Sequence, residues 1–104
     1  MDTVTEATFE DEVLRSAVPV LVDFWAPWCR PCAAIEPHLR SLAEEHAARL
    51  RLVRVNVDES LALSGRYGVL ALPTVILFAG GEERARVVGV QPRSRYERAL
   101  APHL

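Results

Sequence analysis

The sequence predicts an α/β fold in which helices cover both faces of a mixed β-sheet. Val18 to Trp25 forms an almost unbroken apolar run, which is typical of a central parallel strand that is buried on both faces. Apolar residues recur at helical spacing in a later segment, from Ala33 to Ala48. Further along the chain, Gly80 and Gly81 form a turn that is too short for a crossover connection. The two strands that this turn joins must therefore be antiparallel.

The remaining elements complete the order β-α-β-α-β-α-β-β-α. Thr8 is expected to cap the first helix, because the acidic residues 10–12 occupy its first turn. Asp58 is expected to cap a short helix, and Pro92 suits the first turn of the last one. Ranges are predicted for four of the five strands, namely residues 20–25, 50–57, 75–78 and 82–89, the last of them a charged edge. The chain's 104 residues are enough for one compact domain, which we expect to span residues 1–104.

Composition and charge argue against some classes of function. Twelve basic and 14 acidic residues give a net charge of −2, which argues against a nucleic-acid partner or a membrane surface. The segment from Met1 to Glu6 is acidic and lacks the apolar stretch of a secretory signal, and no apolar run approaches membrane-spanning length. We therefore expect a cytoplasmic protein, in a compartment where disulfides are usually transient and catalytic. Nothing in the sequence suggests an obligate oligomer, so a monomer is expected.

The two cysteines of the chain, Cys29 and Cys32, form a C-x-x-C motif at a predicted strand-to-helix junction. A cysteine there meets the positive end of a helix dipole, which favours the thiolate that attacks disulfides. Two buried structural cysteines are the plainer alternative, but a C-x-x-C motif beside a βαβ pattern favours redox chemistry. Zinc is the other alternative, but it takes four ligands, and the three histidines of the chain are scattered. We therefore expect no metal site.

Five segments match one known pattern in order and spacing: VDFWAPWCRPC at 22–32, VNVD at 55–58, YGV at 67–69, LPT at 72–74 and VG at 88–89. Together they resemble the thioredoxin family over essentially the whole chain. The resemblance implies a thioredoxin fold, in which four helices flank a central mixed sheet. It also implies reduction of protein disulfides without a bound cofactor, because the redox-active intrachain disulfide carries the electrons. The implied partners are a thioredoxin reductase and disulfide-containing proteins.

Position in the helix predicts different roles for the two cysteines. Cys29, at the helix start, is expected to be partly exposed and to attack the substrate disulfide. Cys32, one turn further in, is expected to resolve the mixed disulfide by attacking Cys29. The alternative is that Cys32 attacks first, which its deeper position disfavours.

Asp23 is the one charged residue between Val18 and Trp28. A carboxylate buried without a partner is costly, so Asp23 should hold its proton more tightly than it does in water. The resemblance implies that it exchanges a proton with Cys32; the alternative is an acid solvated at the strand end. Arg54 falls by strand register where the family commonly has a lysine near this acid. An ion pair between Arg54 and Asp23 would lower the pKa of the acid, and the alternative is a solvated arginine.

The resemblance also implies a docking surface around the cysteines. In thioredoxin-like proteins the proline that matches Pro73 follows a cis peptide bond, whereas sequence alone would favour trans. The backbone of Leu72 would then be free to pair with an extended substrate strand. For Trp28, the alternative is a position in the core. The expected members of the surface are Trp28, Leu72, Pro73, Gly89 and Val90.

Arg30 is the main departure from the family pattern, since glycine commonly precedes the proline that Pro31 matches. A positive charge near the thiolate should stabilise the reduced form and make the pair more oxidising, unless the side chain is simply solvated. Arg30 therefore leaves a disulfide oxidase or isomerase as an alternative function. Trp28 and Pro31 argue against this alternative. A thioredoxin-fold binding subunit of a larger complex is the alternative from another class.

Overall fold

A five-stranded sheet runs through the computed structural model, which describes every residue from 1 to 104. The strands are β1 (Asp2–Thr3), β2 (Val20–Trp25), β3 (Arg51–Asn56), β4 (Thr74–Ala79) and β5 (Glu82–Val88). They lie side by side in the order β1-β3-β2-β4-β5. The first three strands of that order are parallel, whereas β4 is antiparallel to both β2 and β5. The mixed sheet and its final hairpin are therefore confirmed.

Four helices flank this sheet, as the resemblance implied. They are α1 (Glu10–Leu14), α2 (Arg30–Glu45), α3 (Leu61–Arg66) and α4 (Arg93–Leu100), and a short 3₁₀ turn (Ala101–His103) follows. None of the helices combines the length and the apolar character that a membrane crossing requires. The expected α/β thioredoxin fold is confirmed by this order of elements.

Side-chain alternation along β2 divides the core into two layers. Val20, Val22 and Phe24 pack with β3, β4 and α1, whereas Leu21 belongs to the opposite layer. Asp23 shares the face of Leu21, so the pleat of the strand carries a carboxyl group into the layer under α2. The helices contribute five large buried residues to that layer: Ile35, Leu39, Leu42, Tyr96 and Leu100.

Two predicted helix caps were wrong, because Thr8 lies inside the first turn and a tertiary contact takes the side chain of Asp58. The carbonyl of Thr5 accepts the N–H of Phe9 (2.9 Å), so helical turns already begin there. The Thr8 hydroxyl lies inside that first turn and accepts the N–H of Thr5 (3.0 Å). Asp58 does not cap α3, which begins only at residue 61. Its carboxylate instead accepts the indole N–H of Trp28 (2.9 Å).

The two-layer core predicts unequal costs for two identical truncations. Leu39→Ala should lower the free energy of unfolding by about 2–5 kcal/mol, because it opens a cavity between α2 and the sheet. Leu61→Ala removes the same atoms from an exposed position on α3 and should cost less than about 0.5 kcal/mol. Urea unfolding followed by circular dichroism measures both. Equal losses would contradict the assignment of Leu39 to the core.

Candidate active site

The first turn of α2 places Cys29 at the helix N-cap, just beyond the end of β2. Cys29 has extended backbone angles, and its Sγ accepts the backbone N–H of Cys32 at 3.2 Å. The first N–H groups of a helix have no partner within the helix, so this sulfur fills a position that an oxygen usually holds. Cys29 and Cys32 are joined as a disulfide, with Cα atoms 5.3 Å apart.

Cys29 is more buried than expected, whereas the deep position of Cys32 is as expected. Cys29 is 7% exposed and Cys32 is 3% exposed, because both sulfurs pack in the apolar layer that contains Ala26. The expectation that Cys29 is partly exposed is therefore wrong for this disulfide form. The order of the two is as expected, since Cys29 remains the more accessible sulfur.

Asp23 is almost fully buried, with 2% of its surface exposed. Its Oδ1 has no hydrogen-bond partner in the protein, so the alternative of a solvated carboxylate is wrong. Burial raises the pKa of Asp23 to about 7; the positive charge of Arg54 opposes this rise, and the negative charge of Glu36 adds to it. A carboxyl group in this state can gain or lose a proton near neutral pH.

Arg54 lies opposite Asp23 in the parallel register of β2 and β3, as predicted, but no ion pair joins the two. Its guanidinium carbon lies 3.5 Å from the centroid of the Trp25 ring, and Nη1 lies 4.0 Å from Oε2 of Glu36. Stacking on an aromatic face is a favourable position for a planar cation. The expected Arg54–Asp23 pair is therefore wrong, and so is its alternative, because the arginine is mostly buried rather than solvated.

A cavity of about 70 Å³ joins these groups to the disulfide. Its lining includes the carboxyl of Asp23, both cysteines, and the charged side chains of Glu36 and Arg54. The remaining lining residues are Trp25, Ala26, Pro27 and Ala33. Asp23 and Cys32 therefore line the same cavity.

The expected docking residues lie on the loop that carries the disulfide, which includes Trp28, and on two further loops, residues 72–73 and 89–90. Trp28 is 68% exposed, so a core position for it is wrong. The Leu72–Pro73 peptide bond is cis, as the resemblance implied, and Pro73 is buried. The carbonyl of Pro73 accepts the N–H of Gly89 (2.8 Å), which ties the two loops together. The backbone groups of Leu72 make no hydrogen bond within the chain, and Val90 is exposed.

Arg30 and Pro31 occupy the exposed side of the first helical turn. The Arg30 side chain forms no hydrogen bond and no ion pair in the structure. Exposed charges of this kind interact weakly, which favours the solvated alternative. No group of three or more potential metal ligands occurs anywhere in the chain.

Sequence reasoning missed two members of the site. Glu36 lies four residues after Cys32 and therefore shares its helix face, a spacing that was visible in the sequence. Trp25 contributes the ring under Arg54, and its buried indole N–H has no partner. Strand alternation places Trp25 on the face of Asp23, but no sequence signal showed that the arginine would stack on it.

The position of this disulfide indicates thiol–disulfide exchange rather than a structural cross-link. It spans three residues at a helix start and shares a cavity with a buried acid, which defines a thioredoxin-like oxidoreductase. The family model for thioredoxin matches residues 1–101, and the chain belongs to the thioredoxin family.

Named relatives agree with this assignment. Thioredoxin 1 of Nostoc sp. is 43% identical over 101 residues, which cover 97% of this chain and 94% of that protein. Thioredoxin of Streptomyces clavuligerus is 43% identical over 94 residues, or 90% of this chain and 87% of its own length. The chloroplastic thioredoxin M4 of Arabidopsis thaliana is 42% identical over 96 residues, which cover 92% of this chain and 50% of that protein. Family and cysteine pair together make this chain a thiol–disulfide oxidoreductase of the protein-disulfide reductase type.

The raised pKa of Asp23 makes stability depend on pH in a defined direction. The folded state holds this proton up to about pH 7, whereas the ordinary value is 3.8, so stability falls as pH rises between the two. Asp23→Asn removes the charge and should raise the free energy of unfolding at pH 8 by about 4 kcal/mol. The gain should shrink towards zero near about pH 4.

Urea titrations of the oxidised protein across this pH range measure the difference. Glu59→Gln, a change of the same kind at an exposed position, is the matched control and should show no such trend. A gain for Asp23→Asn that is constant with pH would show that burial of the charge is not its cause.

Proposed function

We propose that this protein reduces disulfides in other proteins by a two-step exchange at Cys29 and Cys32. The Cys29 thiolate attacks one sulfur of the substrate disulfide, forms a mixed disulfide and releases one substrate thiolate. The Cys32 thiolate then attacks the Sγ of Cys29 and releases the second. Two electrons pass to the substrate, whose two released thiolates take up protons from the solvent, and the Cys29–Cys32 disulfide remains. The observation that carries this proposal is the cysteine pair at the start of α2.

The order of attack is supported by the position of the two sulfurs. The Sγ of Cys29 already accepts the N–H of Cys32, and a thiolate would strengthen this bond at the positive end of the helix. Cys29 is also the more accessible of the two. Cys32 lies within reach of Cys29 but is turned into the core, which suits a resolving thiol.

Asp23 is proposed to accept the proton of Cys32 during the second step and to return it in the reverse reaction. Asp23 and Cys32 line the same cavity, so the proton need not cross the apolar layer between them. A pKa near 7 suits a group that must both take up and release a proton near neutral pH.

The substrate is proposed to dock as an extended strand against Leu72. Its free backbone N–H and C=O can pair with the backbone of the substrate, which is β-augmentation. The side chains of Trp28 and Val90 offer exposed apolar surface. Gly89 is partly exposed, and the buried Pro73 is proposed to act through the cis bond that sets the backbone of Leu72. Because the recognition is largely through backbone atoms, we expect tolerance of many substrate sequences.

Four residues are proposed to tune the pair: Arg30, Pro31, Pro73 and Arg54. An exposed charge contributes no more than ~1 kcal/mol, or ~20 mV, so Arg30 should leave the protein a reductase. The comparisons favour neither an oxidase or isomerase nor a binding subunit.

Family membership implies redox partners, and we propose a thioredoxin reductase as electron donor and many disulfide-containing proteins as acceptors. The dithiol itself carries the electrons, so the proposed reaction uses no cofactor. We further propose that residues 1–104 act as a single domain, as a monomer and in the cytoplasm. The cytoplasmic location is supported by the use of both cysteines in the one exchange pair, with no cysteine left for a structural disulfide.

The proposed order of attack is tested by trapping. With a disulfide-containing protein such as insulin as substrate, Cys32→Ser should accumulate a covalent mixed disulfide through Cys29, because the resolving thiol is missing. Cys29→Ser should form none and should lose activity by at least about 10³-fold. Non-reducing gels and mass spectrometry of the adduct identify the linked cysteine. An adduct on Cys32 in the Cys29→Ser variant, formed as fast as the other, would reverse the assignment.

A further inference from the structure

The cavity beside the disulfide is lined by an arginine and an aspartate that could form an ion pair but do not. Asp23 and Arg54 both line the cavity, and two of their atoms, Asp23 Oδ1 and Arg54 Nε, are buried without a hydrogen-bond partner in the protein. The two residues are also direct neighbours in the register of β2 and β3. An ion pair between them would remove two unsatisfied buried groups, which ordinarily favours its formation. Other contacts hold the guanidinium in its observed position.

Glu36 lies close enough to Arg54 to hold its guanidinium in this position. Its Oε2 lies 4.0 Å from Nη1 of Arg54, and its Oε1 accepts two hydrogen bonds from Arg40, at 2.8 and 3.0 Å. Arg40 and Glu36 are one helical turn apart on α2, so this contact anchors the carboxylate on the helix. The face of the guanidinium rests on the Trp25 ring. Arg54 therefore contacts Glu36 and Trp25 but forms no ion pair with Asp23, although both residues line the same cavity.

We propose that Glu36 is a positioning residue that holds the Arg54 guanidinium off the Asp23 carboxyl. The inference rests on the proposed function, in which Asp23 exchanges a proton with Cys32. A carboxylate locked in an ion pair with arginine is held ionised and is a poor partner for that exchange. Because Arg54 contacts Glu36 instead, Asp23 remains free to bind a proton.

The charged and titratable groups around Asp23 are few, so the effect can be isolated. Arg54 approaches from β3, Glu36 and the cysteine pair from α2, and the Tyr96 hydroxyl from α4. With the disulfide oxidised, the cysteines do not titrate, and Tyr96 has its pKa raised above its usual alkaline value. Glu36 and Arg54 are then the groups whose charge can move the titration of Asp23 near neutral pH.

The test is a double-variant cycle read from the Asp23 carboxyl itself, by ¹³C NMR titration of the oxidised protein. In Glu36→Gln, the apparent pKa of Asp23 should fall by about one pH unit or more, because Arg54 becomes free to approach it. Glu36→Gln also removes a negative charge directly, so the same change is made in an Arg54→Gln background. There the fall should be at most about half as large, because no guanidinium remains to be released.

Glu44→Gln is the matched control, since it makes the same charge change at an exposed position on α2. The Trp25 indole N–H resonance should shift in Glu36→Gln, as the cation leaves the ring, and should not shift in the control. An equal fall in the native and Arg54→Gln backgrounds would overturn the proposal, because Glu36 would then act through its own field alone. No fall in either background would overturn it as well.

The titration needs no substrate, so its result is independent of the proposed function. If the native chain failed to reduce insulin with a chemical dithiol as electron source, the proposed function would fall and the placement of Arg54 would stand. If reduction proceeds, its acid limb should move to lower pH in Glu36→Gln together with the carboxyl titration. An acid limb that stayed in place while the carboxyl moved would overturn the role of Glu36 in the reaction.

Discussion

The first turn of a helix needs partners for its free N–H groups, and the whole site is arranged around how α2 meets that need. Here the partner is the Sγ of Cys29, which accepts the N–H of Cys32. The same geometry that caps the helix also favours negative charge on the sulfur, so one interaction serves both folding and chemistry. Because β2 lies in the middle of the sheet, hydrogen-bonded on both sides, the position of this turn is fixed.

Burial of Asp23 is the second constraint, and it opposes stability. The pleat of β2 brings the carboxyl into an apolar layer, where ionisation is unfavourable. A neutral side chain would fold more stably at neutral pH, so the structure retains the acid at a cost to stability. Such costs concentrate at functional sites, where a perturbed proton affinity is itself useful. Asp23 and the inner cysteine line the same cavity, which is the arrangement that the proposed proton exchange uses.

Much of the fold and the site followed from periodicity and spacing. The buried run of β2, the glycine hairpin and the cysteines at a helix start are local patterns, and local patterns decide such elements. The errors arose where a side chain had several partners to choose from. Asp58 bonds an indole 30 residues away rather than a nearby helix end, and Arg54 takes an aromatic ring rather than Asp23. Only the packed structure brings these competing partners together, so sequence could not rank them.

The start of α2 is expected to select Cys29 as the thiolate, and the pH dependence of alkylation measures this. The rate of reaction with iodoacetamide would be measured on the reduced protein, with Cys32→Ser isolating one thiol and Cys29→Ser the other. Cys29 is expected to titrate below a free cysteine and to react well before Cys32. A Cys29 that titrates like a free cysteine, or a Cys32 that reacts first, would contradict it.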